Sequence, residues 1–181
     1  MVLPTQQLNQ TNQLIWKGDM ELLERISRVL NEILIWIAGV FLAVMILLIC
    51  GNIFLRLVWT PVKGTFELMG FFGAIVTAFA LGYTQIKRGH IGIDIVVNQF
   101  SATTQRILSG INYFICMVFF GIASWQIAKW ATVLWKTGEV TETLRIVFYP
   151  FTYGVAFGCL VLTLVLFVDL LKLLTEGKRA S

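Results

Sequence analysis

The chain has 181 residues, 57% of them hydrophobic and only 13% charged, with a mean hydropathy of +0.81. A water-soluble domain of that size cannot hide so much apolar surface, so the composition excludes the soluble classes and points to an integral membrane protein. The net charge of +4 and the pI near 9.1 fit basic residues held against anionic headgroups and give no reason to invoke nucleic acid.

A hydrocarbon core about 30 Å thick needs roughly 20 helical residues at about 1.5 Å each. Four runs free of Asp, Glu, Lys, Arg and His have that length: 33–55, 68–86, 107–128 and 146–168. They are expected to be helices, because backbone polar groups in lipid must be paired within their own segment unless a barrel closes, and the alternation of a barrel is absent. The fold predicted is therefore all-α: a four-helix membrane bundle.

In chain order, residues 1–18 are polar and begin with a Gln- and Asn-rich stretch that lacks the apolar core of a signal peptide. They are expected to be a retained, disordered cytoplasmic N-terminus. In residues 19–32, Leu22, Leu23, Ile26, Val29, Leu30 and Ile33 fall on one helical face, while Glu21 with Arg25 and Glu24 with Arg28 stand at i,i+4. This reads as an interfacial amphipathic helix feeding the first span, or equally as a cytoplasmic extension of that span. A second amphipathic stretch, 92–106, sets Ile93, Val96, Val97 and Phe100 against Asp94, Asn98 and Ser101 and is expected along the inner membrane surface. Trp125, Trp130 and Trp135 end a long third span as aromatic anchors, and Pro150 is placed to open or kink the fourth. Residues 173–181 form a tail. Residues 19–172 are one membrane domain, without a linker or an inverted repeat.

Basic residues are retained on the cytoplasmic side during insertion. Nine flank one side (Lys17, Arg25, Arg28, Lys87, Arg88, Arg106, Lys172, Lys178, Arg179) and five the other (Arg56, Lys63, Lys129, Lys136, Arg145). Both termini are therefore expected to be cytoplasmic.

The spans carry only uncharged polar residues, Asn52, Thr77, Gln85, Asn112, Ser124, Gln126 and Thr163, which suit interhelical hydrogen bonds. An ion or polar substrate crossing the midplane calls for ionisable groups or broken helices, so a pathway within this chain alone is not expected. One histidine, His90, excludes bis-histidine haem. Cys50, Cys116 and Cys159 lie on three different spans without CxxC spacing and read as free buried thiols. No nucleophile, zinc or phosphate-loop motif is present, and Asp94 beside His90 is an ordinary i,i+4 pair. No cofactor, metal or catalytic residue is expected.

What the spans do carry is small residues. Gly70, Ala74, Ala78 and Gly82 recur every fourth position in the second, and Gly154 and Gly158 make a GxxxG in the fourth. Such surfaces either hold the four helices together or dock a partner. By elimination, the chain reads as a subunit supporting a larger membrane protein. Two other classes stand beside it: a small oligomeric four-helix transporter or channel, which would bring a charged or strongly polar residue to the midplane, and a membrane redox or biosynthetic enzyme, which would show cofactor ligands.

Several of these local patterns resemble the small membrane subunit of tripartite ATP-independent periplasmic (TRAP) transporters, the DctQ-like family. The resemblance runs from the first span onward. It rests on Arg56 closing span one, Glu67 opening span two, Ala80-Leu81-Gly82, the run from Lys87 through Arg88, Gly89, His90, Ile91, Gly92 and Ile93 to Asp94, and the turn from Gly138 to Ile146. The chain departs from the family where Val147 and Phe148 follow Ile146, the proline coming only at Pro150. The resemblance implies an accessory subunit in the bacterial inner membrane, a scaffold for a large multi-span permease that carries the sodium and substrate sites and works with a periplasmic substrate-binding protein to import an organic acid. Arg56 and Glu67 are then expected to pair across the outer end of the first hairpin, or to stand as two solvated charges. Arg88, His90 and Asp94 are expected to cap backbone, touch lipid headgroups or contact the permease.

Overall fold

The computed structural model describes residues 4–58, 60, 62–87 and 102–177. They form four helices: α1, Pro4–Val58; α2, Thr65–Ile86; α3, Ala102–Thr137; and α4, Tyr149–Gly177. Each contains a stretch long and apolar enough to cross a membrane. Among the described residues the sole β feature is an isolated bridge between Val140 and Val147. The expected all-α, four-span architecture is the one found.

α1, with 55 residues, is about 80 Å long, and α3, with 36, about 54 Å. Both exceed the roughly 30 Å of hydrocarbon and must overhang it or tilt. Residues 4–18, expected to be disordered, are helical, and α1 passes through 19–32 into the span without a break. No proline interrupts it after Pro4, and Arg28 pairs with Glu24 one turn away. Of the second amphipathic stretch, 92–101 lies outside the described residues, and 102–106 opens α3.

α4 is the central helix. It packs against α3, α2 and, more lightly, α1; α1 and α2 pack against each other, and α3 leans chiefly on α4. The core between α1, α2 and α4 is built from Leu34, Ala38, Ile75, Ala78, Phe79 and Val161, with Leu30, Phe41, Phe151 and Val155 against it. On the other side of α4, Ala131 and Leu134 of α3 are buried, and Ser124 Oγ donates to the Ala156 carbonyl at 2.9 Å. That bond satisfies a hydroxyl that lipid could not, and it fixes the rotation of α3 on α4. Trp125, Trp130 and Trp135 stay outside and exposed.

Candidate functional site

The spans bring chemistry together at their two ends. At one end lie the C-terminus of α1, the N-terminus of α2 and the 138–148 connection; at the other lie the N-terminal half of α1, the C-terminus of α2, the start of α3 and the end of α4.

The first end is a docked turn. Gly64 caps α2 with φ +77°, and a Cβ there would also collide with the Leu144 side chain. Glycine is thus required twice, for its left-handed backbone and for the space. Glu67, in the first turn of α2, accepts the backbone N–H of Thr143 on one carboxylate oxygen at 2.8 Å and that of Leu144 on the other at 3.1 Å. A carboxylate in a helix's first turn also lies favourably in the macrodipole. The turn it holds is internally bonded: Thr141 N–H to the Ile146 carbonyl at 2.9 Å, and Ile146 N–H to Thr141 Oγ1 at 3.1 Å, with Arg145 at φ +52°. This bonded turn delays the fourth helix to Tyr149 rather than 146, and Pro150 then opens it as the second helical residue.

The expected Arg56–Glu67 pair is therefore not made. Glu67 is occupied by the turn, and Arg56 is exposed. The first hairpin is closed instead by Asn52, whose Oδ1 accepts the Val62 N–H at 2.8 Å, and by Thr65, whose hydroxyl donates to the Val62 carbonyl at 2.8 Å.

The second end is a buried polar layer. Asn31 is 1% exposed and Ser27 is 3% exposed, on the face of α1 that also carries Leu34 and Ala38 into the core. Asn31 Nδ2 donates to the Ser27 carbonyl at 2.8 Å, while its Oδ1 has no hydrogen-bond donor and lies against Gly82. A Cβ at Gly82 would occupy the oxygen's position, so this glycine makes room for the amide. Gln85, one turn further along α2, donates to Asp169 of α4 at 3.3 Å. Glu24 is shared between Arg28 and Lys172, whose Nζ lies 2.8 Å away on α4.

The consequence is that two small polar residues share the inward face of α1 with Leu30 and Leu34. The amphipathic segment of α1 turns Ser27 and Asn31 inward and leaves Leu22, Ile26, Val29 and Ile33 outside. The outward stripe continues into the span as Trp36, Val40, Leu47 and Phe54, all exposed.

The small-residue stripe of α2 is divided. Ala78 and Gly82 are buried, whereas Gly70 and Ala74 are exposed and a Cβ at Gly70 would meet nothing within 4 Å. A four-residue step on a helix of 3.6 residues per turn advances about 40°, so three steps swing the stripe about a third of a turn, off the interface. Gly158 packs on this crossing: a Cβ there would stand 2.8 Å from the Ala78 carbonyl oxygen and 3.0 Å from its Cβ. Gly154 is looser: a Cβ there would lie 3.8 Å from the Ile75 side chain.

Arg88, His90 and Asp94 lie outside the described residues. Cys159 is buried, but Cys116 is half-buried and Cys50 exposed; all three are free. The polar layer was only partly legible: Gln85 stands out as a polar residue in an apolar run, but Asn31 and Asp169 sit just beyond the runs' edges. Among the described residues no group of three His, Cys, Asp or Glu side chains is placed to hold a metal ion.

The chain matches the model of the family described as tripartite ATP-independent periplasmic transporters, DctQ component, over residues 45–176, which is more than half its length. No curated protein and no solved structure matches it.

Proposed function

We propose that this chain, which belongs to the DctQ component family of the tripartite ATP-independent periplasmic transporters, is the accessory scaffold on which the large permease of a sodium-coupled organic-acid importer is held. The family makes it a small permease subunit and a multi-pass inner-membrane protein. The scaffold role, the sodium coupling, the organic acid and the cytoplasmic termini are our reading.

One observation carries the scaffold role: the apolar stripe that α1 leaves on the outside. Only part of the segment's apolar surface is buried: Leu30 and Leu34 pack inward beside Ser27 and Asn31, while Leu22, Ile26, Val29 and Ile33 face outward. An outward apolar stripe that runs from a polar segment into a span suits a partner helix packed along it. The uncharged spans support the same division of labour, in which the substrate and sodium sites belong to another chain. Gly70 and Ala74, with the outward half of the α2 stripe, are further candidates for partner contact.

The test is purification of the tagged chain from its native membrane in mild detergent, with mass spectrometry of what accompanies it. A stoichiometric multi-span permease is expected, and Ile26→Asp with Val29→Asp should reduce its recovery while the chain still reaches the membrane. A chain that purifies alone or as a homo-oligomer, and that transports after reconstitution, would overturn the scaffold role in favour of a small oligomeric transporter. Sodium-dependent uptake of an organic acid by the reconstituted complex tests the coupling.

A further inference from the structure

The inner ends of α3 and α4 part to leave a groove of about 550 Å³ on the surface of the bundle. Ile107, Gly110, Ile111 and Phe114 line it from α3, and Leu170, Leu173 and Leu174 from α4; among the described residues its one charged lining residue is Arg106. Gly110 sets the shape, since a Cβ there would press on Leu173 Cδ2 at 3.1 Å. From Arg106 to Phe114 the groove follows about 12 Å of helix axis, close to the roughly 15 Å depth of one leaflet.

Arg106 is exposed, and among the described residues no carboxylate lies within ion-pair distance of it. The groove thus has a cation at the helix start, on the more basic side of the membrane, and a strip of branched and aromatic side chains running from it toward the midplane. A guanidinium binds phosphate oxygens through paired N–H donors, and an apolar strip one leaflet deep accepts an acyl chain. We propose that this groove holds one phospholipid with a net-negative headgroup, its phosphate on Arg106 and an acyl chain along Ile107, Ile111, Phe114 and Leu174. Charge complementarity selects this occupant: an apolar partner helix would leave the guanidinium without a counter-charge, and a soluble anion would leave the apolar strip uncovered.

A basic residue near an anionic membrane surface is worth about 1 kcal/mol, which is about fivefold in retention. The full chain is reconstituted into nanodiscs of phosphatidylcholine with a minority of phosphatidylglycerol, extracted into mild detergent, and its retained lipids are counted by native mass spectrometry. One phosphatidylglycerol per chain is expected, favoured about fivefold over phosphatidylcholine after correction for composition. Arg106→Gln should erase the preference, Leu174→Trp should lower retention of both lipids by filling the slot, and Arg56→Gln, at the far end, should change neither. Circular dichroism of each variant confirms that helix content is kept. Equal retention of the two lipids by the unaltered chain, undiminished preference in Arg106→Gln, or displacement by inorganic phosphate alone would overturn the proposal. So would a groove empty of lipid once the chain is bound to its large permease, which would assign the space to that partner.

Discussion

Glu67 shows how one carboxylate can organise an end of the bundle. Both its oxygens are used by consecutive backbone N–H groups, those of Thr143 and Leu144, so it ties the 138–148 connection to the start of α2 across 76 residues of sequence. Glutamine could accept only one of the two and would present its own N–H to the other. Glu67→Gln is therefore expected to speed amide hydrogen exchange at Thr143 and Leu144, measured in detergent micelles, whereas Arg56→Gln should leave those amides unchanged. An effect of Arg56→Gln as large as that of Glu67→Gln would mean the two charges act as a pair after all. A glutamate at the first turn of a span is visible as a notable residue in the sequence, but the partner expected for it is Arg56 across the hairpin, with two solvated charges as the alternative. Backbone donors carry no sequence signature, so the choice between them and Arg56 could not be read in one dimension.

Among the helices, α4 does most of the joining, and its crossing with α2 sets a glycine directly against backbone. A Cβ at Gly158 would stand 2.8 Å from the Ala78 carbonyl oxygen and 2.9 Å from its carbon, and backbone cannot swing away as a side-chain tip can. Gly158→Ala should thus push α2 from α4, costing about 1–3 kcal/mol. Gly154→Ala meets nothing nearer than 3.8 Å and should be tolerated, or gain up to about 1 kcal/mol from helix propensity. Thermal unfolding of the two variants in one detergent compares them directly, and equal midpoints would contradict the crossing. The GxxxG spacing marked both glycines without ranking them. On the second helix the every-fourth-residue pattern overreached, because about 40° of drift per step carries Gly70 and Ala74 off the surface that Ala78 and Gly82 share.

For the molecule as a whole, the question is which side each end faces. Nine basic flanking residues against five lead us to place the termini, the polar layer and the lipid groove on the cytoplasmic side, with the Glu67 turn outside. With Cys50, Cys116 and Cys159 replaced by alanine, a single cysteine at Lys63 or Glu139 should react with a membrane-impermeant maleimide in intact spheroplasts. A cysteine at Ser181 should react only after the membrane is permeabilised. The opposite pattern would invert the orientation and place the groove in the outer leaflet.

Class, span number and family were all readable in the sequence, because each is a local property: the length of an apolar run, the charges beside it, and short motifs in a set order. They hold whichever way the helices turn. Rotation is what the tertiary structure decided. It turned Ser27 and Asn31 of α1 inward and left Leu22, Ile26, Val29 and Ile33 outside, split the small-residue stripe of α2, and gave Glu67 a backbone partner. In a soluble protein the apolar face of a helix announces the core. In a membrane lipid is as apolar as leucine, so the buried face is chosen by small-residue contact and polar pairing between segments far apart in the chain.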